Sequence, residues 1–255
     1  MKRLKAVAAT VLAIGIFSWA AGAQEAKDGR ALVEAAVEYY RGNASVSKVR
    51  MTIHRPEWER EMTIKAWTLG KKYSLFYITD PPKDEGNGTL KRAADMWTYN
   101  PKVNRVIKLP PSMMSQAWMG SDFSNNDLAK SDSIIDDYVH HVVAENRIDG
   151  QKVYVVESMP KPMAPVIWGM QKLHIREDHI MLRQEFYDED RVLVKSMTGE
   201  QIEMLGGKKF PRIWRMQKAD AEDEYTQLEY LELDFKDKLP DRLFTVSSLR
   251  NPGRM

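Results

Sequence analysis

The chain has 255 residues and a formal net charge of +2, and it contains no cysteine. Acidic and basic residues are mixed along its whole length, so the sequence lacks the basic patch with interleaved aromatic residues that is typical of nucleic-acid binding. The lack of cysteine excludes disulfide bonds and a thiol-linked lipid anchor, so a hydrophobic core must stabilise the fold.

The first residues have the pattern of a secretory signal peptide. Lys2, Arg3 and Lys5 precede an uncharged stretch over 6–23, which ends in Ala21-Gly22-Ala23, a pattern that signal peptidase cuts. The alternative is a membrane anchor, but small and hydroxyl residues dilute this stretch below the roughly 20 strongly apolar residues of a spanning helix. We therefore predict export with cleavage after Ala23, followed by one domain over residues 24–255.

One amphipathic helix is predicted soon after the signal peptide, over residues 29–41. Apolar or aromatic residues recur at i, i+4 and i+8 from Leu32. Asp28 is a suitable N-cap for this helix, and Gly42 is a suitable glycine after its last turn.

Strand-like segments follow the helix for most of the chain. Val49, Met51 and Ile53 alternate with polar residues, as in a strand with one buried face. Similar segments are predicted at 62–66, 73–78, 96–99, 103–109, 138–148, 153–159, 172–176, 181–187, 192–197, 202–205, 213–218 and 225–235. Turn signals such as Asn87-Gly88 and Asp149-Gly150 separate most of them. This spacing predicts an antiparallel meander that curls into a barrel or a sandwich.

Two long connections interrupt the strands, at residues 110–133 and 160–168. Both are rich in large apolar side chains, namely Met113, Met114, Trp118, Met119 and Phe123 in the first and Trp168 in the second. Ser124 and Asp127 resemble a capping box, which predicts a short helix in the first connection. Because apolar loops must be buried and long loops are often lids, we expect the first connection to cover the mouth of a cavity.

Catalytic and metal-binding patterns are weak. Adjacent residues of a strand point to opposite faces, so His140 and His141 cannot share a metal, and no cysteine is available as a ligand. The sequence has neither a glycine-rich phosphate loop nor a nucleophile elbow. Neighbouring acids such as Asp136 and Asp137 are more typical of a solvated turn. We predict no enzyme, no metal site and no cofactor.

Methionine and tryptophan are abundant, with 15 and 7 residues respectively. Methionine is flexible and polarizable, and tryptophan offers a wide apolar face, so both are suited to surfaces that accept apolar ligands. The alternative is that they fill an ordinary core, as Met51, Met62 and Met96 would if their strands are simply packed.

Several short blocks resemble the outer-membrane lipoprotein-sorting proteins, in particular their carrier-like branch. The blocks are Trp97-Thr98-Tyr99-Asn100-Pro101, Gly120-Ser121-Asp122-Phe123-Ser124, Lys209-Phe210-Pro211 and Asp241-Arg242-Leu243-Phe244. The resemblance covers nearly the whole chain after the signal peptide.

The resemblance implies a mainly β fold, an unclosed antiparallel β-barrel with a helical lid that encloses an apolar cavity. It also implies a periplasmic carrier that moves lipid or acyl groups between the inner and outer membranes. The implied partners are an inner-membrane transporter of the resistance-nodulation-division type and an outer-membrane acceptor. A similar fold serves as a periplasmic sensor in envelope-stress signalling, which is the alternative function.

Candidate ligand contacts follow from the apolar residues and the resemblance together. The predicted lipid-binding residues are Met51, Met62, Met96, Trp97, Met113, Met114, Trp118, Met119, Phe123, Trp168 and Trp214. Arg105 and Arg212 are candidates for contact with a head group.

Overall fold

Thirteen strands, β1 to β13, form most of the computed structural model, which describes residues 27–250. They span Ala44–Arg55, Trp58–Leu69, Tyr73–Asp80, Gly88–Arg92, Asp95–Asn100, Arg105–Lys108, Tyr138–Ile148, Gln151–Pro160, Met170–Arg176, Met181–Tyr187, Leu193–Leu205, Lys208–Lys218 and Tyr225–Lys236. The α-helices are Gly29–Arg41 (α1), Asn125–Ala129 (α2) and Ser133–Asp136 (α3). Within residues 27–250, no helix has both the length and the hydropathy to cross a membrane. The predicted signal peptide lies outside the described residues.

All thirteen strands belong to one antiparallel sheet whose two edge strands do not pair with each other. The order is β6-β5-β4-β3-β2-β1-β13-β12-β11-β10-β9-β8-β7. Apart from β6 and β7, strands that are consecutive in the chain are neighbours in the sheet, and β1 additionally pairs with β13. The edge strands β6 and β7 are consecutive in the chain and are joined by residues 109–137, which we call the cover segment. The predicted unclosed antiparallel barrel is therefore confirmed.

The inner face of the sheet changes from polar to apolar along strand β1. On β1 the inward residues are Ser45, Ser47, Val49, Met51 and Ile53, and all five are buried. The alternation predicted around Val49 is therefore confirmed. It holds because successive side chains of a strand point to opposite faces, and only one face of β1 meets the interior here.

Helix α1 begins and ends where its capping residues predict. Asp28 accepts hydrogen bonds from the main-chain nitrogens of Arg30 and Ala31. Gly42 follows the last turn at a φ of +61°, which favours glycine because it has no Cβ to clash. The apolar face of α1 packs with α3 and with strands β7 to β9 in a buried cluster that includes Leu32 and Tyr138.

The cover segment contains the predicted short helix and several tight turns. Ser124 and Asp127 form a capping box at the start of α2, in which each side chain accepts a hydrogen bond from the main chain of the other residue. Trp118 donates a hydrogen bond from Nε1 to Thr89 Oγ1 at 3.0 Å, which joins the segment to β4. The segment therefore has a defined conformation across the gap between the edge strands.

The outer face of strands β2 to β5 is also buried. Trp67, Leu75 and Leu90 point outward from adjacent strands, in register with one another. Leu243, Phe244 and Leu249 pack onto them from the C-terminal part of the described chain, and this group forms a second hydrophobic core. This half of the sheet is therefore packed on both faces.

Two details of the strand prediction were wrong. Strand β4 begins at Gly88, where the sequence indicated only a turn. The strand was missed because it is short and carries Lys91 inward, so it lacks the alternation of apolar and polar residues. Strand β11 is continuous over Leu193–Leu205, where two strands were predicted. The polar residues between the two predicted strands indicated a break, but they belong to the strand, and most of them face solvent only in part. Both errors arose where polar side chains lie on strands.

His140 is a residue with a shifted pKa that packs against α1. It lies half-buried on β7, and a Cβ at Gly29 of α1 would be only 2.9 Å from its carbonyl oxygen. His140 Nδ1 and Ser158 Oγ share a hydrogen bond of 2.8 Å. Burial lowers the pKa of His140, and the nearby positive charges of Arg30 and Lys161 lower it further.

We predict that acid destabilises the protein partly through His140. A histidine whose folded pKa is lowered contributes stability above its unfolded pKa of about 6.5, and this contribution is lost as the pH falls through that value. His140→Gln should reduce the loss of Tm between roughly pH 7.5 and pH 5, as measured by thermal denaturation. Some slope should remain because burial also lowers the pKa of His174. The control is His141→Gln at the exposed neighbour, and equal slopes in both variants would contradict the prediction.

Candidate functional site: a cavity under the cover segment

A cavity of about 260 Å³ lies between the inner face of the sheet and the cover segment. This volume is slightly below the roughly 300–1,000 Å³ that is typical of small-molecule sites. Strands from both halves of the sheet line it, together with α1, the cover segment and the loop that ends at Trp168. The interior of the fold is therefore not completely filled by its own side chains.

Most of the cavity wall is apolar. Val49, Ile64 and Phe76 contribute from β1 to β3, and Phe186, Met197, Met216 and Leu228 from the opposite half of the sheet. Aromatic pairs connect the cover segment and the loop before β9 to these walls: the ring centroids of Trp118 and Phe76 are 5.5 Å apart, and those of Trp168 and Phe186 are 5.3 Å apart. Such walls can bury a hydrocarbon chain but offer no group for bond-making chemistry.

One end of the cavity is polar, and we call it the polar end. Ser45, Thr68 and Ser74 lie side by side on β1, β2 and β3, and Ser47 lies one inward position deeper on β1. Ser45 and Thr68 share a hydrogen bond of 2.8 Å between their hydroxyl groups. Arg41, from the last turn of α1, completes this end and donates to Ser74 Oγ at 3.4 Å.

Two half-buried tyrosines form another part of the wall. The hydroxyl groups of Tyr40 and Tyr230 are 2.8 Å apart and share a hydrogen bond. Burial raises the pKa of both phenols, and that of Tyr230 lies well above its usual value. Both side chains are therefore neutral at physiological pH, and each satisfies the polar atom of the other.

Asp122 anchors the cover segment to the sheet. Its carboxylate accepts hydrogen bonds from Arg55 at 2.9 and 3.2 Å and from Thr226 Oγ1 at 2.7 Å. The carboxylate is fully buried, and Arg55 also lies 3.3 Å from Glu224. A buried charge with this many partners holds the segment against β1 and β13.

Two further aspartates of the cover segment make similar contacts. Asp127 pairs with Lys195 of β11, and both side chains are only 7% exposed. Asp132 lies 2.6 Å from Lys91 of β4 and 3.2 Å from Arg41 of α1. The three aspartates thus attach the cover to strands on both sides of the gap and to the first helix.

The predicted lipid-binding residues fall into several groups. Trp118, Phe123 and Trp168 line the cavity. Met51 and Met62 are completely buried in the hydrophobic cluster that also contains Trp118 and Phe123.

The remaining predicted methionines surround the cover segment. Met119 packs against the same cluster as Trp118. Met96 lies in a smaller cluster with the start of the cover segment, and Met113 and Met114 pack against that cluster. These side chains support the cover and do not line the cavity.

Two predicted tryptophans have different positions. Trp97 points to the outer face of the sheet, opposite Leu90, and packs in the core formed with the C-terminal residues. Trp214 is buried and packs edge-on against Tyr40, which itself lines the cavity. Trp97 is therefore part of the structural core, and Trp214 supports the cavity wall.

The two predicted head-group arginines are not at the cavity. Arg105 is exposed on the edge strand β6. Arg212 pairs with Glu203 and with Glu229, both on neighbouring strands. The structure brings neither side chain to the cavity wall.

Sequence reasoning missed the polar end and the tyrosine pair. Ser45 and Ser47 continue the inward alternation of Val49 and Met51, so polar residues at inward positions were the available signal. Arg41 was recognisable only as the last residue of a helix.

Two of the residues considered for catalysis make contacts away from the cavity. Asp136 is exposed and pairs with Arg30, whereas His140 bonds to Ser158 on the next strand. No group of three or more potential metal ligands occurs among residues 27–250.

Comparisons with known proteins agree with this fold. A family model described only as uncharacterized-protein-like matches residues 70–251. A DUF1329 family protein from Desulfovibrio piger has 26% identity and a TM-score of 0.77, and the match covers 88% of this chain and 100% of that one. A search of curated proteins found no match.

Two further solved structures share the fold. A LolA superfamily protein from Nitrosomonas europaea is 23% identical with a TM-score of 0.73, over 88% of this chain and 100% of that one. An outer membrane lipoprotein-sorting protein domain from Vibrio parahaemolyticus is 20% identical with a TM-score of 0.76, over 88% and 98%.

We predict that breaking the Asp122 anchor strongly destabilises the protein. Asp122→Asn would leave Arg55, whose side chain is 14% exposed, with Glu224 as its remaining carboxylate, so we expect a loss in the free energy of unfolding that approaches the roughly 3–5 kcal/mol of a broken buried pair. Urea denaturation measures this loss. The matched control is Asp95→Asn, which removes the exposed pair with Lys108 and should cost less than about 1 kcal/mol. Similar costs for both variants would show that the cover is not held in this way.

Proposed function

Since this chain belongs to the family whose model matches residues 70–251, and its fold is that of the LolA superfamily, we propose that it carries lipid or acyl groups in its cavity. The observation that supports this most directly is the unfilled, mostly apolar space under the cover segment. A cavity with such walls favours hydrocarbon over polar solutes, because apolar surface gains free energy when it leaves water.

The expected binding energy suits a carrier. Burial of one CH₂ group contributes about 0.8 kcal/mol, so a chain of about 16 carbons would gain roughly 12 kcal/mol before costs. Ordering and association consume a large part of this gain. The net affinity is then high enough to shield the chain from water and low enough for release.

Entry and release require the cover segment to move. The segment joins the two edge strands but is not a strand of the sheet, and polar contacts and side-chain packing hold it in place. Met113, Met114 and Met119 pack around the cover segment. Flexible methionine side chains can repack at low cost in free energy. We propose that the cover segment opens as a lid while the sheet keeps its shape.

The wider role proposed for the protein is transport across the periplasm. The predicted signal peptide supports export from the cytoplasm, and the fold supports a carrier between the inner and outer membranes. An inner-membrane transporter of the resistance-nodulation-division type would be the donor or acceptor on one side, and an outer-membrane acceptor would act on the other.

We predict that filling the cavity weakens acyl-chain binding. Ala66 lies on the cavity wall between Ser47 and Phe76, so Ala66→Phe places a ring in the space. The matched control is Ala144→Phe at an exposed position on β7. Titration with a fluorescent fatty acid should show at least a roughly tenfold weaker Kd for Ala66→Phe, equivalent to about 1.4 kcal/mol, and no change for Ala144→Phe.

Native mass spectrometry of protein purified without detergent provides a second readout. We expect bound lipid on the wild type and on Ala144→Phe. A wild type that carries no lipid and does not bind the fluorescent fatty acid would refute the carrier proposal. If Ala66→Phe does not fold, Ala66→Leu is the smaller replacement.

A further inference from the structure

We propose that the polar end of the cavity binds the anionic head group of a single-chain amphiphile, with Arg41 as the charged contact. This proposal rests on the proposed carrier function and specifies the chemical class of its ligand. The expected head group is a carboxylate or a phosphate ester, and its hydrocarbon chain extends toward the apolar walls.

The sheet register arranges the inner face as a gradient from polar to apolar. The first row across β1, β2 and β3 is Ser45, Thr68 and Ser74. The second row is Ser47, Ala66 and Phe76, so it is already mostly apolar.

The next inward positions are fully apolar. Val49 and Ile64 form the third row on β1 and β2, and Met51 and Met62 form the fourth. On β1 to β3, hydroxyl groups thus occupy only the end of the cavity nearest α1, and this order favours one direction for an amphiphile that lies along these strands.

The charges at the polar end are unequal. Lys91 is buried and the Arg41 side chain is 13% exposed, and these two cations share the single carboxylate of Asp132. Glu38 and Asp237 border a surface pocket that Arg41 also borders, and neither lies within ion-pair distance of it.

The other two anchors of the cover segment lack this excess of positive charge. Lys195 has one carboxylate partner, Asp127, and Arg55 has two, Asp122 and Glu224. Only the anchor at the polar end therefore has more cations than carboxylates.

An anionic ligand would balance this charge at low cost. Burial of uncompensated positive charge is unfavourable, and burial does lower the pKa of Lys91 against the opposing effect of Asp132. A carboxylate or phosphate beside Arg41 would supply the missing negative charge and accept bonds from the hydroxyl groups. Among residues 27–250, Ser47 Oγ makes no side-chain hydrogen bond, so it is free to donate one.

The volume of the cavity favours a ligand with one hydrocarbon chain. Its volume of about 260 Å³ lies below the usual range for drug-sized ligands and leaves little room for the several chains of a lipoprotein anchor. Lys130 also lines the cavity, and its charge would disfavour a cationic head group such as an amine.

Isothermal titration calorimetry with ligands that differ only in the head group tests this proposal. The probes are laurate, dodecyl phosphate and the neutral dodecanol, and inorganic phosphate tests for a site that binds free anions. The wild type should bind laurate or dodecyl phosphate at least about tenfold more tightly than dodecanol. Arg41→Gln should lose this preference, so that its affinities for laurate, dodecyl phosphate and dodecanol become similar.

The control variant is Arg50→Gln, because Arg50 is also on an early element but pairs with Glu61 and Glu229 outside the cavity. It should keep the preference of the wild type. If Arg41→Gln does not fold, the affinities of the wild type for the different probes test the proposal alone. Equal affinity of the wild type for laurate and dodecanol overturns it.

The outcomes separate this proposal from the carrier function. If no probe binds to the wild type, the carrier function itself is refuted. If all chains bind equally well, the carrier function stands and the head-group site is refuted. If inorganic phosphate binds as tightly as dodecyl phosphate, the polar end binds free anions and the proposal of an amphiphile is wrong.

Discussion

Three largely buried ion pairs between the cover segment and the rest of the fold close the interior of this protein. The edge strands β6 and β7 do not pair, so the sheet leaves one side of its interior open. Asp122, Asp127 and Asp132 close that side, because each reaches a cation on a strand or on α1. Ion pairs of this kind are stable while intact but contribute little beyond the cost of burying them. They can therefore hold a cover closed without making it permanent.

The fold was largely predictable because its strands are packed on a regular sheet. Where one face of a strand is buried, as around Val49 on β1, the alternation of apolar and polar residues identifies the strand. Helix α1 was predictable to the residue because Asp28 and Gly42 mark its ends. Strand β4 was not, because its inward Lys91 is buried by an ion pair with a residue of the cover segment, and no local pattern indicates such a partner.

The candidate site was predictable only in its apolar part. Trp118 and Trp168 lie in long loops, and apolar loop residues must be covered by something, so their place at a cavity follows from local sequence. The polar end is different, because Ser45, Thr68 and Ser74 meet only through the pairing of three strands. Trp97 shows the opposite problem: alternation identifies two faces but does not say which one is inside, and here both are buried.

The pairing of β1 with β13 has a consequence for how the molecule is made. These strands form the middle of the sheet, yet they come from opposite ends of the described chain. Contacts between distant segments form slowly, because a long loop must close before they contribute. Hairpins such as β7–β8 can assemble from neighbouring residues, but the two halves cannot join until the last strand is available. Until then the chain has two separate half-sheets with open edges, and unpaired strand edges of this kind favour aggregation during folding.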